Sequence, residues 1–103
     1  MAPEDLTKSS FEHFKKSGVV LVDFFAEWCM PCLMLSPVID ELSDKMTEIK
    51  FGKVNIDESQ DVAEEFSVMS VPTLIIFKEG KEVDRIVGSV PAEVLEEKIK
   101  KHL

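Results

Sequence analysis

Val19-Val20-Leu21-Val22-Asp23-Phe24-Phe25 runs directly into Ala26-Glu27-Trp28-Cys29-Met30-Pro31-Cys32, and the fold turns on how this junction is read. The first half is almost continuously apolar, as expected of a central strand covered on both faces. Asp23 is its anomaly, because a carboxylate buried without partners is costly. From Cys29 onward the apolar period becomes helical, through Leu33, Leu35, Val38, Ile39, Leu42 and Met46. Pro31 falls in the first turn of that helix, where a missing N–H costs little. Pro37 falls inside it and predicts a kink. Cys29 and Cys32 are the only cysteines, and their spacing puts both sulfurs on one helical turn. Such a pair can be a redox couple, half of a metal site or a structural staple.

Toward the N-terminus, Ser9-Ser10-Phe11-Glu12 reads as a capping box that opens a short helix, with Phe11 and Phe14 facing inward and Gly18 ending it. His13 lies on the surface of that helix. Toward the C-terminus, Phe51 to Ile56 predicts a strand, and Asp57-Glu58-Ser59 a turn into a short helix ending near Phe66. Val68 to Pro72 reads as a loop and Thr73 to Phe77 as a further strand. Lys78-Glu79-Gly80-Lys81 is a hairpin turn, with Gly80 supplying the unusual backbone angle. Glu82 to Val87 pairs back antiparallel and Gly88 breaks it. Pro91 opens a last helix with Val94, Leu95 and Ile99 inward and lysines toward its end, and His102 falls in a fraying tail. A right-handed crossover makes the first two strands parallel and the hairpin antiparallel. The expectation is an α/β domain spanning 1–103, a mixed sheet with helices on both faces.

With 103 residues, 45% of them hydrophobic, the chain can bury a core without metals or multiple staples. A net charge of −8 argues against nucleic acid and anionic membranes as partners. No run approaches the roughly 20 apolar residues of a membrane span. Met1 to Asp5 carries acids where a secretory leader would carry lysines, so the expected location is the cytoplasm. There, close cysteine pairs more often do redox or metal chemistry than hold structure together. Zinc needs about four ligands, and only His13 and His102 are available besides, neither in register. The four glycines are unclustered, so neither a dinucleotide fingerprint nor a phosphate loop is present, and no cofactor is expected.

Redox chemistry assigns different duties to the two thiols. Only a thiolate attacks a disulfide. Cys29, at the start of a helix, faces unpaired N–H groups and the positive end of the dipole, which makes it the exposed, low-pKa nucleophile. Cys32, one turn in and better buried, becomes the resolving thiol once its proton is removed. Asp23 is the candidate acceptor of that proton if burial raises its pKa toward neutrality. Lys53, on the neighbouring strand, is a possible partner whose positive charge opposes that rise.

These residues closely resemble the thioredoxin family. Trp28-Cys29-Met30-Pro31-Cys32 is similar to its W-C-x-P-C active site, Asp23 to its buried carboxylate, Pro37 to its helix-kinking proline and Lys53 to the lysine beside the carboxylate. Val71-Pro72-Thr73 resembles its cis-proline segment, and Gly80 and Gly88 fall where the family has glycines. The likeness runs from about Leu6 to the end. It implies the thioredoxin fold, with a mixed sheet of four to five strands, and a thiol–disulfide oxidoreductase, a disulfide reductase whose redox disulfide joins Cys29 and Cys32. It also implies an apolar rim of Trp28, Met30, Pro31, Val71, Pro72 and Gly88 that receives the disulfide-bearing strand of a protein substrate. Electrons would come from a reductase of the thioredoxin-reductase type, and the protein would act as a monomer. A more oxidising or isomerase-like member, and a binding module with a vestigial redox centre, are the alternatives. Met30, Leu33 and Ser70 depart from the family pattern, which commonly has glycine, lysine and glycine there.

Asn55 and Gln60 are the only side-chain amides, against 31% charged residues, a pattern reported for thermophilic proteins. The corresponding expectation is a thermal midpoint well above the mesophile range of about 45–65 °C; calorimetry giving a value inside that range removes it.

Overall fold

The computed structural model describes residues 3–103; Met1 and Ala2, which open the acidic N-terminal stretch, lie outside the described residues. The chain runs β1 (Glu4–Leu6), α1 (Lys8–Lys15), β2 (Val19–Phe25), α2 (Met30–Lys45), β3 (Lys50–Asn55), α3 (Gln60–Glu65), β4 (Thr73–Lys78), β5 (Lys81–Val87) and α4 (Ala92–Lys100). Five strands form one sheet in the order β1-β3-β2-β4-β5. β3 is parallel to both β1 and β2, whereas β4 pairs antiparallel with β2 and β5 with β4. β2 is the middle strand, as its apolar run requires.

The pleat of β2 divides the core. Leu21 joins Leu74, Ile76 and Ile86 beneath α2 and α4, which contribute Leu35, Ile39, Leu42, Leu95 and Ile99. Val20, Val22 and Phe24 point the other way, to Val54, Ile75 and Phe77 under α1 and α3. Asp23 has the same parity as Leu21, so it lies on the α2 face, beneath the start of that helix. α2 continues through Pro37, which leaves the Leu33 carbonyl without its helical donor.

Several elements differ from expectation. β1 carries one buried residue, Leu6, in an acidic stretch too short for periodicity to reveal. The capping box is Thr7 and Ser10 rather than Ser9 and Glu12: the Ser10 N–H donates to Thr7 Oγ1 at 3.4 Å and the Thr7 N–H to Ser10 Oγ at 2.9 Å. Starting there, Leu6 before the cap and Phe11 at the fourth helical position enter the same cluster, a hydrophobic staple that Ser9 as cap would forgo. α1 ends at Lys15, and Gly18, at φ 73°, turns the chain into β2. At the hairpin both Glu79 (φ 51°) and Gly80 (φ 84°) are left-handed, as a two-residue turn with primed twist demands. Glu79 is held there by a pair of bonds with Gly18, its own N–H donating to the Gly18 carbonyl and its carboxylate accepting the Gly18 N–H, each at 3.0 Å. On α4, Leu95 and Ile99 are buried but Val94 is exposed, because only the former pair lies one turn apart on the inner face. His102 is not frayed. Its Nε2 lies 3.0 Å from Asp84 Oδ2, and Lys98 donates to Asp84 Oδ1 at 3.0 Å, fastening the end of α4 to β5.

Phe11 is fully buried and meets Phe24, Phe66 and Phe77 edge-on at centroid distances of 6.4, 5.5 and 5.7 Å. One ring of a short helix thus joins β2, β4 and the end of α3. Phe11→Ala should cost about 3–5 kcal/mol by urea unfolding; a loss below about 1 kcal/mol would mean that α1 is held by its cap and ion pairs instead.

Candidate active site

The site forms where β2 ends and α2 begins. Cys29 is the N-cap of α2, with extended backbone, and Pro31 sits in the first turn as expected. The Cys32 N–H donates to Cys29 Sγ at 3.2 Å, so the sulfur occupies the place where a capping oxygen usually accepts. Cys29 and Cys32 are joined in a disulfide, their Cα atoms 5.3 Å apart. Both are only 4% exposed, packed with Ala26 and against Phe25, Ile56 and Val71. The expected contrast between an exposed Cys29 and a buried Cys32 is therefore absent with the bond closed, because the packing that covers one sulfur covers its partner. What separates the two is the N–H directed at Cys29.

Behind Cys32 lies Asp23, 2% exposed, with Oδ1 accepting no hydrogen bond among the described residues. Its burial is in the middle of the sheet, between Lys53 on β3 and Leu74 on β4, not at an edge. Desolvation pushes its pKa up to about 7, and the positive charge of Lys53 pulls against that rise. The Lys53 ammonium does not close onto the carboxylate as an ion pair; it lies over the Phe25 ring, 5.0 Å from the centroid. Asp23, Cys32, Lys53, Glu27, Leu33 and Ser36 line one cavity of about 100 Å³, room for a few waters between thiol and carboxylate.

The remaining predicted residues surround the disulfide. Trp28 and Met30 are 69% and 65% exposed. The Trp28 indole N–H donates to Asp57 Oδ2 at 3.0 Å, and Asp57 is set by the Asn55 side chain, whose oxygen accepts the Asp57 N–H at 2.9 Å. Opposite, the Val71-Pro72 bond is cis, and the Val71 carbonyl oxygen lies 3.7 Å from Cys29 Sγ. Thr73 Oγ1 donates to the Ser70 carbonyl at 2.7 Å and the Gly88 N–H to that of Pro72 at 2.8 Å, which fixes the segment and brings Gly88 beside it.

Sequence reasoning missed four contributors and left the placement of a fifth open. Asp57 gave no signal beyond a turn. Ser36 could have been found, since it follows Cys32 by one helical turn. Leu33, part of the helix's apolar period and a departure from the family's usual lysine, is 55% exposed and lines the cavity. Met34 and Met69, 72% and 93% exposed, extend the apolar surface, Met34 one turn beyond Met30. Among the described residues no group of three or more His, Cys, Asp or Glu could hold a metal ion, and no helix is long and apolar enough to cross a membrane.

A closable cysteine pair at a helix N-terminus, backed by a buried carboxylate near neutrality, is the centre of a thiol–disulfide oxidoreductase. The family model described as thioredoxin matches residues 2–101. Thioredoxin of Chlamydia pneumoniae is 48% identical over 97 residues, covering 94% of this chain and 95% of its own. That of Staphylococcus saprophyticus is 48% identical over 104 residues, covering both chains fully. Among solved structures, a mutant thioredoxin from Halobacterium salinarum superposes with a TM-score of 0.92 at 33% identity, covering 98% of this chain and 90% of that one. The chain belongs to the thioredoxin family.

Folded, Asp23 keeps its proton up to about pH 7; unfolded, it should lose it near the ordinary value of 3.8. The native state then binds more protons across that window, so stability falls as pH rises through it. Asp23→Asn should therefore stabilise the fold by roughly 3–5 kcal/mol at pH 8, with the advantage gone by about pH 4. Urea unfolding at several pH values measures this; a gain that does not vary with pH would show that Asp23 is not the titrating group.

Proposed function

We propose that the protein is a general reductase of protein disulfides, with Cys29 as nucleophile and Cys32 as resolving thiol. The observation that carries the assignment is the Cys32 N–H directed at Cys29 Sγ, which favours a thiolate there and offers nothing comparable to Cys32. In the reduced protein the Cys29 thiolate attacks a substrate disulfide, forming a mixed disulfide and releasing one substrate thiolate. Asp23 then accepts the Cys32 proton through the cavity between them. The Cys32 thiolate attacks Cys29 Sγ, closing the internal disulfide and releasing the second substrate thiolate. Two electrons pass to the substrate, and a reductase of the thioredoxin-reductase type returns them. Lys53 limits how far the Asp23 pKa rises, keeping the carboxylate able to exchange its proton near neutrality.

Trp28, Met30, Pro31, Val71, Pro72 and Gly88 form the rim for the substrate. The Val71 carbonyl beside Cys29 supports an extended segment pairing there by backbone hydrogen bonds, with the exposed indole and thioether covering its apolar side chains. The protein acts as a monomer in the cytoplasm, where a reducing couple can be kept reduced.

Cys32→Ser should accumulate mixed disulfides with protein substrates through Cys29, identified by mass spectrometry, while Cys29→Ser should accumulate none; adducts through Cys32 would reverse the assignment. Asp23 must be ionised to take the proton, so the rate of closing the internal disulfide should rise with pH through about 7. In Asp23→Asn that inflection should vanish and the rate at pH 7 should fall at least about tenfold. An unchanged profile would remove Asp23 from the proton path.

A further inference from the structure

Four methionines lie in the described part of the chain, and the fold separates them sharply. Met46 is 3% exposed, within the core under α2. Met30, Met34 and Met69 are 65%, 72% and 93% exposed. Met30 follows Cys29 directly, Met34 lies one turn along the same helix face, and Met69 is two residues before Val71, whose carbonyl approaches Cys29 Sγ. With the disulfide closed, Cys29 and Cys32 are both 4% exposed and hold no thiol. The sulfur-bearing side chains this face leaves open to water are then the three methionines. Leucine or valine would supply the same apolar cover without reactive sulfur; these positions combine cover with reactivity.

We propose that Met30, Met34 and Met69 form a hydroperoxide-sensitive modification site that controls the docking of protein substrates. Each thioether sulfur attacks the outer oxygen of a hydroperoxide, the O–O bond breaks, and a sulfur–oxygen bond forms. The sulfur is oxidised by two electrons to the sulfoxide, and the peroxide is reduced to an alcohol, or to water for hydrogen peroxide. The proton carried by the transferred oxygen passes to the departing oxygen, and the cysteines take no part. The sulfoxide is polar and accepts hydrogen bonds, so an apolar, adaptable rim becomes a hydrated one. Substrates that need the rim lose affinity, whereas a small disulfide that reaches Cys29 without it does not. The proposal rests on the rim described under the proposed function.

The disulfide form is treated with hydrogen peroxide, the peroxide is removed, and peptides are mapped by mass. One added oxygen is expected at each of Met30, Met34 and Met69 while Met46 stays unmodified. Dithiothreitol then reopens the cysteines but leaves the sulfoxides. The kcat/KM for insulin should fall about tenfold, the scale set by burying a few apolar side-chain groups against a partner. Turnover of a small aromatic disulfide should stay within about twofold, as expected if thiolate chemistry is untouched. The triple variant Met30→Leu, Met34→Leu, Met69→Leu, compared with itself before and after peroxide, should keep its insulin rate. Oxidation of Met46 as fast as the others, full oxidation with an unchanged insulin rate, or an equal loss in the triple variant would each overturn the proposal. A protein that reduces neither disulfide before peroxide fails the proposed function and this inference with it; one that reduces both, yet keeps its insulin rate when fully oxidised, fails the inference alone.

Discussion

A carboxylate in the middle of a five-stranded sheet, with one oxygen accepting no hydrogen bond among the described residues, is a standing cost to the fold. The protein meets that cost by letting Asp23 hold its proton to about pH 7, and the surrounding structure is consistent with that solution. β2 places Asp23 on the face that α2 covers, and α2 begins directly above it with the cysteine pair. A carboxylate on the opposite face would meet only the aromatic cluster under α1. In the proposed mechanism, the same burial that destabilises the charge fits the group to accept a proton near neutral pH. Stability and chemistry therefore pull on one side chain in opposite directions.

Lys53 shows how finely that opposition is set. It is in register with Asp23 across a parallel pair, near enough to lower the carboxylate pKa, yet its ammonium rests over Phe25 instead of forming a direct ion pair. A closed pair would hold Asp23 ionised and acidic, and a more distant lysine would leave desolvation unopposed. Carboxylate, Cys32 and Ser36 line one cavity, so the proposed proton exchange has room to run through water or through the Ser36 hydroxyl that shares the space.

Much of this was legible in the sequence because the informative signals are local. The apolar run of β2, the cysteine spacing, Pro31 and the helical period after it need no knowledge of distant residues, and they place Asp23 behind Cys32. What was lost depends on tertiary context. β1 is a strand only because β3 offers it an edge, and its one buried side chain carries no periodicity. The α1 cap moved from Ser9 to Thr7 because Leu6 and Phe11 must share a cluster, which spacing alone does not reveal. His102 looked like a tail because its partner, Asp84, is on a strand brought alongside by the fold. Leu33 fitted the helical period yet faces out, since α2 buries Cys32 and Leu35 over the sheet and Leu33, about 100° round the helix from Cys32 and away from Leu35, turns to solvent. Asp57 gave no pattern at all, because its bond to the Trp28 indole joins loops after two different strands.

Met30 departs from the family pattern beside Cys29 without touching the groups that favour negative charge there. Two features favour negative charge at Cys29, the Cys32 N–H and the N-terminal end of α2, and both are backbone groups. Neither depends on which side chain stands at position 30, and that side chain is 65% exposed rather than packed on the sulfurs. Its direct effect therefore falls on what approaches the disulfide. With Met34 on the same face and Met69 on the loop across from it, the substitution belongs to a surface, not to a single position. A flexible thioether surface adapts to partners of different shape, where a rigid aliphatic one would select among them. Leu33 acts on the other side of the problem. It replaces a commonly positive residue at the lining of the Asp23 cavity, so that among the lining groups the positive charge comes from Lys53 alone. In the proposed mechanism, position 30 thus bears on the choice of partner, and position 33 on the electrostatics of the proton path.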